Sequence, residues 1–193
     1  MIYFFMRPRA LGAIFTLMLA LSSQPASAGP AEDFATLQRD YETWLLRTNP
    51  ETATALGVRT YDDQVSDPSL EAADRRAADA DAMLARLDAI APTELAPADR
   101  VNQAIMRRQL SETVEGNHFG QRMMLFTTYA GWHQNFAGLA DAMPFNSAAD
   151  YRSYLTRIAQ YPRVNAQSLD ITRQAVAGGY VLPCTVLGNG ERA

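Results

Sequence analysis

The chain has 193 residues, of which 48% are hydrophobic and 20% are charged, a composition that is typical of a folded globular protein and excludes a disordered one. Its formal net charge of −4 offers no general attraction to a polyphosphate, so we exclude nucleic acid as a partner. The single cysteine, Cys184, has no second cysteine to pair with, so packing must stabilise the fold.

Residues 1–28 have the order of a secretory signal peptide. Two arginines precede an apolar run over 11–21, and Ala26 and Ala28 are the small residues of a cleavage site after Ala28. The alternative is a membrane anchor, but the apolar run is well short of the ~20 residues that span a bilayer. We therefore expect an exported, periplasmic or secreted protein without a stable membrane anchor after cleavage, in which residues 29–193 form one helical region.

Two helices are predicted to meet close to the new N-terminus. Apolar residues recur at helical spacing over 31–48 and predict an amphipathic helix that faces a core. Pro50 disfavours helical geometry in the residue before it, yet it suits the first turn of a new helix. We expect the second helix to be capped by Thr48 or Asn49 and to end at Gly57.

Two longer helices follow. The segment that begins at Pro68 carries apolar residues at helical spacing as far as Ile90, and we expect it to lie against the first helix. After a proline-rich link, another long helix is predicted to end near Gly116. Its apolar positions are Val101, Ala104, Ile105 and Val114.

Two helices close the pattern. Ser147 and Asp150 predict a capping box, and the following tyrosine-rich positions predict a core-facing stripe. That stripe consists of Tyr151, Tyr154, Leu155, Ile158 and Tyr161. Pro162 then restarts a last helix that ends at Gly178 and Gly179 and is followed by an extended tail.

Residues 117–145 fit no single period. This segment holds both histidines and six aromatic residues, and irregular connections of this length are often functional. The rest of the chain shows no convincing strand pairs or repeats. We therefore predict an all-α protein, an antiparallel helical array with one irregular aromatic-rich segment.

No catalytic motif is recognisable. A zinc hydrolase usually carries His-Glu-x-x-His, but His118 and His133 have no acid at the required offset, and we interpret both as ordinary polar residues rather than ligands. Cys184 lacks a neighbouring histidine and is interpreted as an unreactive thiol. We assign no catalytic, cofactor-binding or metal-binding residue.

Most of the chain after residue 28 consists of stretches in a recognisable order. They read "WLLRTNPETATALGVRTYDD", "SLEAADRRAADADAMLARLDAI" followed by "LAPADRVNQAIMRRQL", "HFGQRMMLFTTYAGWHQNFAGLADAMPFNSAADYRSYLTRIAQYP" and "GGYVLPCTVLGN". In this order they resemble the N-terminal region of a bacterial family catalogued as domain of unknown function 885. Members of that family resemble helical zinc metallopeptidases of the gluzincin type, with a His-Glu-x-x-His helix and a downstream glutamate in the C-terminal half.

The resemblance implies a scaffold without its catalytic part. Zinc and a peptide substrate are expected only in the full-length family protein, and no catalytic residue transfers to a position in this chain. We therefore expect the N-terminal fragment of an exported metallopeptidase-like protein, inactive as given and apparently truncated. The alternative is a self-contained periplasmic helical binding or adaptor module that uses the aromatic segment 126–145 for recognition.

Overall fold

A computed structural model describes residues 29–126 and 131–183 of the chain. This part is all-α, as predicted, with one isolated antiparallel bridge between Phe126 and Gly131. The helices are α1 (Pro30–Thr48), α2 (Pro50–Ala55), α3 (Leu70–Asp88), α4 (Pro97–His118), α5 (Trp132–Ala137), α6 (Ala148–Ile158) and α7 (Tyr161–Ala177). None of the helices within these ranges has the length and apolar character needed to cross a bilayer.

Helices α1, α3 and α4 form the predicted antiparallel array. Trp44 near the end of α1 donates a hydrogen bond to Asp79 of α3 at 3.1 Å, whereas Asp40, one turn earlier on α1, accepts one from Arg86, about two turns further along α3. Helix α4 runs back along α3. Its first turns lie beside the end of α3, where Gln103 donates to the carbonyl of Ile90 at 2.8 Å. The opposite end of α4 lies beside the beginning of α3.

The main core lies between these three helices. It excludes water because each helix contributes one apolar stripe to it, which is the usual source of helix stability in a globular protein. Its buried members are Phe34, Leu37, Trp44, Ala80, Leu87, Ile90, Leu95, Met106 and Leu110. A second, smaller cluster of Val65, Leu139 and Val164 connects the loop before α3 with α7.

The joint between α1 and α2 differs from the prediction in its capping. Asn49 is the residue before α2, but its side chain makes no cap hydrogen bond to that helix. Instead its amide donates to the carbonyl of Leu45 at 2.9 Å, and the Thr48 hydroxyl donates to the carbonyl of Trp44 at 2.8 Å. Both side chains therefore bond to carbonyls of the last turn of α1, and the Leu45 carbonyl also accepts a hydrogen bond from the backbone of Asn49 at 3.0 Å.

Two predicted helix starts can be compared with the structure. The Ser147 and Asp150 capping box at α6 is confirmed, with both reciprocal hydrogen bonds present. Helix α3 begins at Leu70 rather than at Pro68, because the Ser69 hydroxyl accepts a hydrogen bond from the backbone of Ala72 and so fixes the first turn.

The buried faces of α4 and α6 are not the predicted ones. On α4, Val101 is 59% exposed and Ile105 and Ala104 are also exposed, while Gln103, Met106 and Leu110 face the core. On α6 the predicted stripe is largely solvent-facing, with Leu155 59% exposed and Tyr151 exposed, and the buried residue is Arg157. The predicted core role is therefore wrong for the exposed members of the two stripes, whereas Val114 and Tyr154 pack against the buried clusters.

Residues 117–145 are more regular than predicted. Besides α5, they contain 3₁₀ turns at Gln121–Met123 and Gly138–Ala142. Phe145 packs against the tyrosines of α6, with ring centroids 4.8 Å from Tyr151 and 5.2 Å from Tyr154. The predicted signal peptide at 1–28, the tail from Cys184 onward and the His133 side chain lie outside the described residues.

Candidate functional site

A buried arginine connects α6 to the joint between α1 and α2. Arg157 is 0% exposed, and its Nη2 donates to the Thr54 hydroxyl and to the carbonyl of Tyr61, each at 2.7 Å. The same nitrogen lies 3.5 Å from the carbonyl of Pro50. One guanidinium therefore holds α2 and the following 3₁₀ turn, Arg59–Tyr61, against α6. We call Pro50, Thr54, Tyr61, Asp62 and Arg157 the Arg157 cluster.

Charges around this cluster compensate the buried cation. The Thr54 hydroxyl lies 2.7 Å from Oδ1 of the buried Asp62, and Asp62 also pairs with Arg59. Arg59 continues to Asp150 of the α6 capping box at 3.6 Å. Burial lowers the pKa of Arg157, and the carboxylates of Glu51, Asp62 and Asp63 act in the opposite direction. Thr54, Asp62 and Arg157 are all buried in the contact between α2 and α6, so the geometry of the cluster indicates a structural role.

A polar cleft of about 520 Å³ lies between the end of α1, the first half of α3 and the last turns of α4. Two arginines line it, Arg76 from α3 and Arg122 from the 3₁₀ turn after α4. Aromatic, amide and acidic side chains line the rest, represented by Tyr41, Trp44, Asn49, Gln109, Glu112 and Asn117. A cleft with apolar walls and a few polar groups is the usual form of a small-molecule site.

The charged groups of the polar cleft are held by α3. Asp74 pairs with Arg122 and accepts a hydrogen bond from the Asn117 amide nitrogen at 3.0 Å. Arg76 donates from Nη1 to the carbonyl of Asp67 at 3.0 Å, and burial lowers the pKa of its guanidinium. Burial also raises the pKa of Tyr41, whose hydroxyl donates to Gln109 at 3.0 Å. The polar side chains therefore have fixed positions.

An apolar groove of about 520 Å³ lies between two segments. One is the end of the 3₁₀ turn after α4 with the residues that follow it, and the other is the last part of α7 with the residues after it. Its exposed apolar members include Met124, Val176, Val181 and Leu182. Gly179, at φ +83°, ends α7 and directs the chain back, so that Tyr180 reaches Gly120. A side chain at Gly120 would collide with the Tyr180 hydroxyl, since an added Cβ would lie 2.5 Å from it.

Of His118, His133 and Cys184, the residues considered for chemistry from the sequence, the side chain of His118 lies within the described residues. His118 is exposed at the end of α4, with its ring edge-on to Phe119 at 5.0 Å. Within residues 29–126 and 131–183, no three or more His, Cys, Asp or Glu side chains group closely enough to hold a metal ion.

Sequence reasoning missed Arg157, Arg76 and Arg122. Arginine is almost never fully buried unless it is paired, so the residue type of Arg157 does not indicate a core position. One signal was present, because Arg157 occurs four residues before Tyr161 and three after Tyr154, in the middle of the supposed core face. Arg76 and Arg122 have no comparable signal, since only the fold brings α3 and the end of α4 together.

Comparison with known sequences gives one family. The family described as "Bacterial protein of unknown function (DUF885)" matches residues 50–191, which is most of the chain. No match was found among curated proteins or among solved structures.

Proposed function

The chain belongs to this bacterial family of unknown function, DUF885, and from that premise we propose that it is the N-terminal helical scaffold of an exported metallopeptidase-like protein. Peptide hydrolysis would then depend on a His-Glu-x-x-His helix supplied by sequence outside residues 1–193, which contain no such motif. Zinc in that helix would lower the pKa of a bound water, and the motif glutamate would act as a base. The signal-like sequence of residues 1–28 supports export.

The apolar groove is the observation that carries this proposal. Val181 is 64% exposed and Val176 is also exposed, on the elements that close the described chain. Contiguous exposed apolar surface on a soluble protein usually marks an interface. Additional helices of a larger family domain would cover the groove. An N-terminal scaffold is expected to expose such a surface wherever it contacts the rest of the domain.

Nucleotide sequencing beyond codon 193 tests the proposal most directly. We expect a continuation, in frame or shifted, that encodes His-Glu-x-x-His. A continuation of several hundred codons without this motif would overturn the metallopeptidase assignment.

A peptidase assay provides the second test. Purified protein incubated with zinc and a mixture of short peptides should give no turnover, because the described residues form no zinc site. Turnover that is lost in His118→Ala or His133→Ala would show that this chain is itself the enzyme.

One observation favours the alternative, a self-contained periplasmic binding or adaptor module. The polar cleft is formed wholly by α1, α3, α4 and the turn after α4, so ligand binding there needs no further chain. This alternative predicts a monodisperse protein that unfolds in one cooperative transition. A scaffold whose groove requires cover should instead associate or lose tertiary structure at lower temperature.

A further inference from the structure

We propose that the polar cleft binds short peptides, holding a free carboxylate against Arg76 and Arg122 and backbone amide groups against the amide side chains of α4. The inference adds a binding site to the proposed scaffold. It concerns equilibrium binding without zinc, so it succeeds or fails separately from the metallopeptidase assignment.

Two guanidinium groups form the carboxylate-binding part. Arg76 is partly buried on α3, and within the described residues one of its five N–H groups has an assigned acceptor, the carbonyl of Asp67. Arg122 lines the cleft from the 3₁₀ turn after α4, where its pairing with Asp74 orients it and compensates part of its charge. Guanidinium groups bind carboxylates through paired N–H donors, and a partly buried cation is screened less by salt than an exposed one.

Asn117 provides an acceptor for a peptide N–H. Its amide nitrogen donates to Asp74, and this fixes which end of the amide is the oxygen. The oxygen, Oδ1, is buried and has no hydrogen-bond donor among the described residues. A buried acceptor without a donor is unfavourable, and Asn117 lines the cleft, so a small movement of its side chain would let a ligand N–H group satisfy this oxygen.

The remaining walls suit a peptide better than a compact inorganic anion. Tyr41 and Trp44 lie with ring centroids 5.8 Å apart and offer an apolar surface for a small side chain. Gln109 and Asn49 add further amide groups. Glu112, which pairs with Arg108, adds a partly compensated negative charge to the lining, and this charge opposes a dianion such as phosphate more than a monocarboxylate.

Gly116 gives a variant that alters the cleft without weakening the helix. A Cβ built there would lie 2.2 Å from Oε1 of Gln121, so the flexible end of Gln121 must move within the cleft lining. Alanine is the better helix former, so Gly116→Ala should leave α4 intact. Arg173→Gln is a matched control for loss of a guanidinium, since Arg173 lies exposed on α7, outside the cleft.

The experiment uses the purified, zinc-free full chain labelled with ¹⁵N. Trialanine, its C-terminal amide and inorganic phosphate are each titrated to about 10 mM, above the millimolar affinity range, while the Trp44 indole and Asn117 amide signals are followed. We expect trialanine to shift both signals. Arg76→Gln removes a guanidinium from the protein, and the trialanine amide removes the carboxylate from the ligand. Each change deletes one charged contact and should weaken binding by about tenfold. Gly116→Ala should also weaken it, and Arg173→Gln should not.

Three results would overturn the inference. They are no shift with trialanine, equal binding of trialanine and its amide, and binding of phosphate in preference to trialanine. Unchanged trialanine binding in both Arg76→Gln and Gly116→Ala would place the peptide elsewhere and would equally overturn it. Because Gly116→Ala keeps the helix, a binding loss in that variant with an unchanged unfolding midpoint separates a cleft effect from misfolding.

Discussion

Arg157 is the side chain on which the contact between α6 and the first helical joint depends. Replacement by alanine leaves the carbonyl of Tyr61 and the hydroxyl of Thr54 without their buried donor. It also removes a positive charge that offsets the negative charge of the buried Asp62. Breaking a buried charged interaction by removing one partner usually costs about 3–5 kcal/mol. We expect Arg157→Ala to lower the free energy of unfolding by this amount in urea denaturation followed by circular dichroism.

Arg152→Ala is the matched control, because Arg152 lies exposed on the same helix. Its substitution should change the unfolding free energy by less than about 0.5 kcal/mol. Arg157→Lys should also be destabilising, since a single ammonium group cannot reproduce the planar fork of the guanidinium. Equal stability of Arg157→Ala and Arg152→Ala would show that the cluster contributes nothing to the fold.

Asp67 gives the molecule a defined acid sensitivity. Burial alone raises the pKa of Asp67, but hydrogen bonds from Ser69 and the charges of Arg163 and Arg75 outweigh it and hold the pKa below the ordinary value of 3.8. The folded state therefore binds this proton less tightly than the unfolded state. The resulting stabilisation is present above pH 3.8 and is lost as the pH falls through the lower folded value.

We expect Asp67→Asn to be less stable than the native chain at neutral pH, with a difference that shrinks as the pH is lowered below 3.8. Urea unfolding at neutral pH and at about pH 3 measures both differences. Asp81→Asn, on an exposed position of α3, controls for surface substitution. If the unfolding free energies of Asp67→Asn and the native chain differ by the same amount at both pH values, the lowered pKa of Asp67 is contradicted.

At the scale of elements, Gly57 sets the direction in which the chain leaves α2. It adopts φ +83°, and the backbone hydrogen bonds from Gly57 to Thr54 (3.0 Å) and from Val58 to Ala53 (2.8 Å) form a Schellman end. This turn directs the chain towards α6, where the carbonyl of Tyr61 accepts a hydrogen bond from Arg157. Because an L-residue with a Cβ is strained at positive φ, Gly57→Ala should lower the free energy of unfolding by about 1–2 kcal/mol.

Gly57→Asn is the control for this effect, since asparagine tolerates the left-handed region better than alanine. Nothing lies within 4 Å of a Cβ placed at Gly57, so steric collision does not complicate the comparison. Chemical denaturation of the three proteins should rank glycine above asparagine and asparagine above alanine. An alanine variant as stable as the native chain would disprove the role of this turn.

The helices were predictable from the sequence, but two of their faces were not. Proline, capping residues and glycine act locally, so the joint at Pro50, the capping box at Ser147 and the end at Gly178 could be identified from a few neighbouring letters. Which face is buried depends on partners far away in the chain. Arg157 is buried because the Thr54 hydroxyl and the Tyr61 carbonyl, about 100 positions earlier, accept its hydrogen bonds. The sequence around Arg157 does not contain that information.

The same limit applies to the polar cleft. The spacing of Arg76 on α3 indicates only a surface position on an amphipathic helix. Its place in one cleft with Arg122 follows from the antiparallel return of α4 along α3, which also brings Arg122 to Asp74, 48 positions earlier in the chain. The sequence therefore allowed the helical class to be predicted, whereas the candidate site required the tertiary arrangement.

At the scale of the whole molecule, two surfaces differ in what they require. The polar cleft is lined by polar side chains whose positions are fixed by hydrogen bonds. The apolar groove exposes Val176, Val181 and Leu182 and gains by being covered. We therefore expect the purified chain to self-associate through the groove, because a second copy is the only apolar surface that a pure solution offers.

Val176→Glu tests this expectation. Val176 is exposed on α7 within the groove, so the substitution should leave the fold intact while placing a charge in any contact made there. Burying an unpaired carboxylate is costly, and the association constant from sedimentation velocity should fall by at least about tenfold. Val101→Glu is the matched control, an equally exposed valine on α4 and outside the groove. Association that survives Val176→Glu but is lost in Val101→Glu would assign the contact to the exposed apolar face of α4, and a monodisperse monomer at all concentrations would favour the self-contained binding module over the scaffold.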